Sequence, residues 1–76
     1  MPESEEIIIG NKLKEKRIRK GFSIEELADI LSLSINQIQQ IEDGGITAFY
    51  SYSWKVRVAR RVGYILDVSE AEFISQ

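Results

Sequence analysis

Residues 22–44, FSIEELADILSLSINQIQQIEDG, decide the fold. Ser23 is followed three residues later by Glu26, and Ser34 three residues later by Gln37. Each pair has the form of a capping box. The hydroxyl accepts from the third helical N–H, and the Glu or Gln side chain accepts from the cap's own N–H. Losing such a cap costs about 1 kcal/mol. Leu27, Ala28 and Leu31 repeat at helical spacing after the first box, and Ile35, Ile38 and Ile41 after the second. Leu33 falls in the turn, where an apolar side chain plugs the angle between the helices. Gly44 and Gly45 end the second helix by taking backbone angles closed to other residues. The stretch is therefore read as a helix-turn-helix.

Upstream, Ile7, Ile8 and Ile9 begin the ordered chain, and residues 1–6 read as a disordered acidic arm. Ile9 and Leu13 stand at i and i+4 and are expected to aim a first helix at the core. Lys12, Lys14, Lys16, Arg19 and Lys20 fill its other faces, as a solvated surface or as phosphate contacts, and Gly21 stops it.

Downstream, residues 45–53, GITAFYSYS, form an aromatic-rich loop, with Phe49 expected under the core and Tyr50 and Tyr52 half exposed. A fourth helix then runs from Tyr52 or Ser53 to about Leu66, with Val58, Ala59, Val62, Ile65 and Leu66 as its buried stripe. Ser69 with Glu72 makes a third capping box, opening a short helix through Ser75 that docks Phe73 and Ile74. The expectation is an all-α, five-helix bundle without strands, a single domain over residues 7–76.

The chain has 76 residues, no Cys and no His. That removes disulfides, thiolate chemistry, the commonest general base and any good zinc ligand set. No acid–base or nucleophile constellation stands out, no cofactor or metal is expected, and no apolar run approaches the ~20 residues of a membrane span. A non-enzymatic, cytoplasmic domain without membrane contact of its own is the expectation. The net charge is −2, and all ten Lys and Arg lie in residues 12–20 or 55–61. The helix-turn-helix between them has none and carries Glu25, Glu26, Asp29, Glu42 and Asp43, a poor phosphate-binding composition.

Leu13, Arg17, Gly21, Ser23, Leu27, Ala28, Leu33, Ser34, Ile38, Ile41 and Glu42 together resemble the λ-repressor-like, or XRE, helix-turn-helix family. Two positions depart from its pattern: Ile24 stands where Gln is frequent, and Ser32 where the turn Gly is usual. The resemblance implies an ion pair between Arg17 on the first helix and Glu42 at the end of the third, bidentate and partly buried. It also implies that the third helix enters the major groove of DNA, with Ile35, Asn36 and Gln40 near the bases and Ser34 on phosphate. Periodicity places Ile35, Asn36, Gln37, Gln39 and Gln40 on the outward face. Asn and Gln pair bidentately with adenine, and an aliphatic group meets the thymine methyl. The same residues also serve as plain solvated helix formers.

The acidic pair, the aromatic loop and the long arginine-bearing helix ending ILDVSE are similar to the cytoplasmic domain of RodZ proteins. Those proteins have a Pro in the loop and a Gly after the Leu, where this chain has Ser51 or Ser53 and Asp67. RodZ proteins continue into a basic segment and a membrane span, so the chain reads as either an excised domain or a free-standing relative. This narrower resemblance implies an adaptor that binds the actin-like filament protein MreB. DNA is the expected partner and such a filament protein the alternative. In either case Tyr52, Trp54, Lys55, Arg57, Arg60 and Arg61 are expected to form one outward patch on the fourth helix, for phosphate or for an acidic partner.

Overall fold

The computed structural model describes residues 6–75, built as β1 (Ile7–Ile8), α1 (Gly10–Arg19), α2 (Ile24–Leu31), α3 (Ile35–Asp43), α4 (Tyr52–Leu66), α5 (Glu70–Phe73) and β2 (Ile74–Ser75). The expected acidic arm lies outside the described residues except for Glu6.

Both capping boxes of the helix-turn-helix are formed. Ser23 Oγ accepts from the Glu26 N–H at 3.0 Å, and Ser34 Oγ from the Gln37 N–H at 3.0 Å, with the return bonds also present. Ser51 caps α4 by accepting from the Trp54 N–H. The expected third box is absent: Ser69 makes no side-chain cap bond, and its hydroxyl instead meets the Glu72 carboxylate at 3.4 Å.

The core gathers Leu13, Leu27, Ile38, Ala59, Val62, Leu66 and Phe73, all fully buried, with Phe49 less so. Ile9 is not part of it: Ile9 is the N-cap residue of α1 and remains partly exposed. Gly10 takes the inward place, because α1 starts where the backbone carbonyls of Ile41 and Glu42 leave no room for a Cβ. Ile65 also turns outward. Val56 and Gly63 complete the buried stripe of α4, Gly63 because a Cβ there would run into the Phe73 ring.

The expectation of no strand is corrected by an antiparallel pair, Ile7 with Ser75 and Ile8 with Ile74. The last helix stops at Phe73 because Ile74 is extended, and the Ile9 N–H closes the junction on the Phe73 carbonyl at 2.7 Å. β-Branched Ile7, Ile8 and Ile74 suit this extended backbone.

Among the described residues, two that are not glycine have positive φ, Ser32 at 57° and Asp67 at 62°, each the C-cap of its helix. They are two positions at which the sequence departs from a glycine of the resembling families. The left-handed turn is kept without the glycine, at a cost of about 1–2 kcal/mol per residue.

Candidate functional site

The helix-turn-helix is fixed to α1 by one buried cluster. Arg17 Nε donates to Glu42 Oε2 at 2.7 Å and Arg17 Nη2 to Glu42 Oε1 at 3.2 Å, while Nη1 donates to the Phe22 carbonyl at 2.9 Å. The two side chains are 9% and 1% exposed, so the implied bidentate pair is present and nearly dry. It joins α1, the chain reversal before α2 and the end of α3. Its role is to position α3, which touches solvent on its opposite side. At the rim, Lys14 and Asp43 approach to 3.6 Å.

The outward face of α3 is narrower than its periodicity implies. Gln37 Oε1 accepts from the Ser34 N–H, and its Nε2 reaches the Ala48 carbonyl at 3.4 Å. Gln40 Nε2 donates to Thr47 Oγ1 at 2.7 Å, and its Oε1 accepts from the Ala48 N–H at 2.9 Å. Both glutamines are therefore withdrawn from the expected reading face: they latch the loop after α3 onto the helix. The physical reason is that this loop folds back over α3 and its backbone groups need partners. The Gly44-Gly45 reversal, four residues after Gln40, is the signal that could have revealed this. Ile35 (42% exposed), Asn36 and Gln39 remain on one exposed face, with Ser34 occupied as the cap.

The expected patch on α4 divides. Residues 60 and 61 point about 100° apart around a helix, and different elements meet the two flanks. On one flank Arg60 Nη2 binds Glu6 Oε2 at 2.6 Å and Glu70 Oε2 at 3.0 Å, and the Tyr52 hydroxyl donates to the Glu6 carbonyl at 2.7 Å. The bond to Glu70 leads the shift of the Arg60 pKa above its ordinary value. On the other flank Arg61 Nη2 donates to the Leu31 carbonyl at 2.8 Å, closing the end of α2. Lys55 is buried and donates to the Gly45 carbonyl at 2.7 Å, and burial lowers its pKa. Trp54, 38% exposed, stands one turn before Arg57, whose guanidinium lies 5.7 Å from the indole centroid. That distance is within cation–π range. Tyr50, expected half exposed, is 98% exposed. With Gln37, Thr47, Ala48, Phe49 and Trp54 it lines an open groove of about 390 Å³ beside the first turns of α3 and α4.

The cations of α1 lie elsewhere: Lys12, Lys16 and Arg19 line a cleft with Glu15, Val68 and Glu72, on the side towards α5. Among the described residues no group of His, Cys, Asp and Glu could hold a metal ion. No helix of the described residues is long and apolar enough to cross a membrane.

The family described as a helix-turn-helix domain matches residues 12–72, which take in most of α1, all of α2 to α4 and most of α5. No curated protein and no solved structure matches the chain.

Proposed function

The chain belongs to the helix-turn-helix domain family, and on that premise we propose that it is a DNA-binding module, a transcription regulator of the XRE and RodZ-like type. It is a non-enzymatic module of the cytoplasm that presents α3 to the major groove. The observation that carries this reading is the rigid mounting of Ile35, Asn36 and Gln39. Those three stay exposed on a helix held by a capping box, a buried bidentate ion pair and two glutamine latches. A helix whose side chains must meet base edges in register needs that kind of support.

The test is retention of mixed-sequence duplex DNA as salt is varied. The charges available beside α3 are few, so binding at low salt with a shallow slope, about one or two units of log affinity per log salt, is expected. Absence of binding even at low salt would remove the proposal.

A second reading is favoured by a specific observation. The groove at Tyr50 and Trp54, with Arg57 over the indole, combines exposed aromatics and a cation, while the helix-turn-helix lacks Lys and Arg altogether. That composition suits a protein partner with an acidic surface, as in a RodZ-like adaptor that binds an actin-like, MreB-like filament. Trp54→Phe separates the two: it leaves DNA retention nearly intact in the first reading and weakens partner binding in the second.

A further inference from the structure

We infer that the DNA element this domain takes in its major groove is an A·T-containing one, read by Asn36 and Gln39 with Ile35 against a thymine methyl. The inference rests on the DNA-binding reading above and adds the chemical class of its target.

It follows from which side chains the fold leaves free. The exposed face of α3 offers the carboxamides of Asn36 and Gln39 and the aliphatic Ile35. Two other glutamines of the same helix are excluded, Gln37 by its cap and the Ala48 carbonyl, Gln40 by Thr47 and Ala48. A carboxamide carries a donor and an acceptor side by side. Adenine shows the matching pair in the major groove, its N7 acceptor and N6 donor, and its partner thymine adds a methyl group.

Guanine shows two acceptors, N7 and O6, and is met best by Arg or Lys. No Arg or Lys occurs in residues 21–54. Lys14 at the rim of α3 pairs with Asp43, and Lys55 beside the loop after α3 donates to the Gly45 carbonyl. Cytosine would call for a carboxylate acceptor. Asp43 is the only acid on α3 besides the buried Glu42, and it lies in the last turn against Lys14, away from the N-terminal end that enters the groove.

The spacing is also suitable. Three residues of helix advance about 4.5 Å, close to one base-pair step of about 3.4 Å, so the two carboxamides address neighbouring pairs. Ile35 stands one position before Asn36 and four before Gln39, on the same side.

The experiment is selection from a randomised duplex pool at low salt with the 76-residue chain, followed by binding to defined duplexes. Circular dichroism of every variant reports its folding. The expected result is enrichment of an A·T core, with a G·C replacement in that core weakening binding roughly ten- to hundredfold. Uracil in place of the contacted thymine removes only a methyl group and should weaken binding about fourfold. Asn36→Ala and Gln39→Ala, both on exposed positions, should flatten the preference, whereas Tyr64→Ala, exposed near the end of α4, should keep it. Enrichment of G·C cores, or binding without base preference, overturns this inference and leaves the DNA-binding reading standing. Retention of no duplex at all overturns both.

Discussion

Two neighbouring stretches of this chain use charge in opposite ways. Residues 21–54 contain no Lys or Arg, and residues 44–66 contain no Asp or Glu. Read as composition, the first stretch repels phosphate and the second attracts it. In the folded molecule the contrast is smaller at the surface than along the chain. Three of the four cations of α4 serve the protein itself, Lys55 and Arg61 on carbonyls and Arg60 on two carboxylates. Arg57 lies over Trp54 at the surface, and Arg61 is exposed there too beyond its one carbonyl bond. The helix-turn-helix likewise uses Ser23, Ser34, Glu26 and Gln37 in its caps and Glu42 in its clamp. Its exposed readers are the neutral Ile35, Asn36 and Gln39. The available chemistry of a surface is what remains after internal partners have been served.

The strongest way to break this contrast is to remove the buried acid of the first region. Glu42→Ala leaves the Arg17 guanidinium dry and without its carboxylate, and a loss of roughly 3–5 kcal/mol in urea unfolding is expected. In a chain of this size that is a large part of the total stability. The double change Arg17→Met with Glu42→Leu should cost much less, because no unpaired charge stays buried. If both changes cost the same, the clamp acts by packing alone.

A smaller effect is expected from the latch where the two stretches overlap. Gln40→Ala removes two hydrogen bonds to the loop and should cost about 1–3 kcal/mol. The Ala48 amide, which donates to Gln40, should lose its protection against hydrogen exchange, while amides at the centre of α4 keep theirs. Unchanged exchange at Ala48 would show that the loop is held by Phe49 packing instead.

The smallest effect sharpens the comparison by making the same change in both regions. Ser32→Gly ends α2 and Asp67→Gly ends α4, each at a positive φ. Relief of left-handed strain, offset by the entropy of glycine, should raise stability by up to about 1 kcal/mol at each site. Asp67 should gain less, since Asp enters this conformation more readily than Ser. A loss of stability at either site would mean that the present side chain supplies a compensating interaction.

Much of the fold was legible in the order of residues. The boundaries of α2 and α3 follow from two Ser-x-x-Glu or Gln boxes and an apolar repeat, and Gly21 and the Gly44-Gly45 pair punctuate them. The Arg17–Glu42 pair was legible through family resemblance, since nothing local links residues 25 apart. What escaped is of one kind. Ile9 and Ile65 fit a helical stripe, but the inward place at the start of α1 belongs to Gly10, because another backbone comes too close for a side chain. The strand pair joins Ile7–Ile8 to Ile74–Ser75, the two ends of the described chain, and a two-residue strand leaves no periodic trace.

The sequence by itself determined α2 and α3 with their capping boxes, and most of the hydrophobic faces that pack the helices, because those depend on residues within one or two turns of each other. Tertiary structure alone decided which polar side chains remain free to act. Arg61 meets a carbonyl 30 residues away and Arg60 a carboxylate 54 residues away. Gln40 is turned inward by a loop that reverses direction only once Gly44 and Gly45 have placed it. Hydrogen-bond partners are assigned by distance in space, and a buried or half-buried backbone group takes the nearest side chain that can satisfy it.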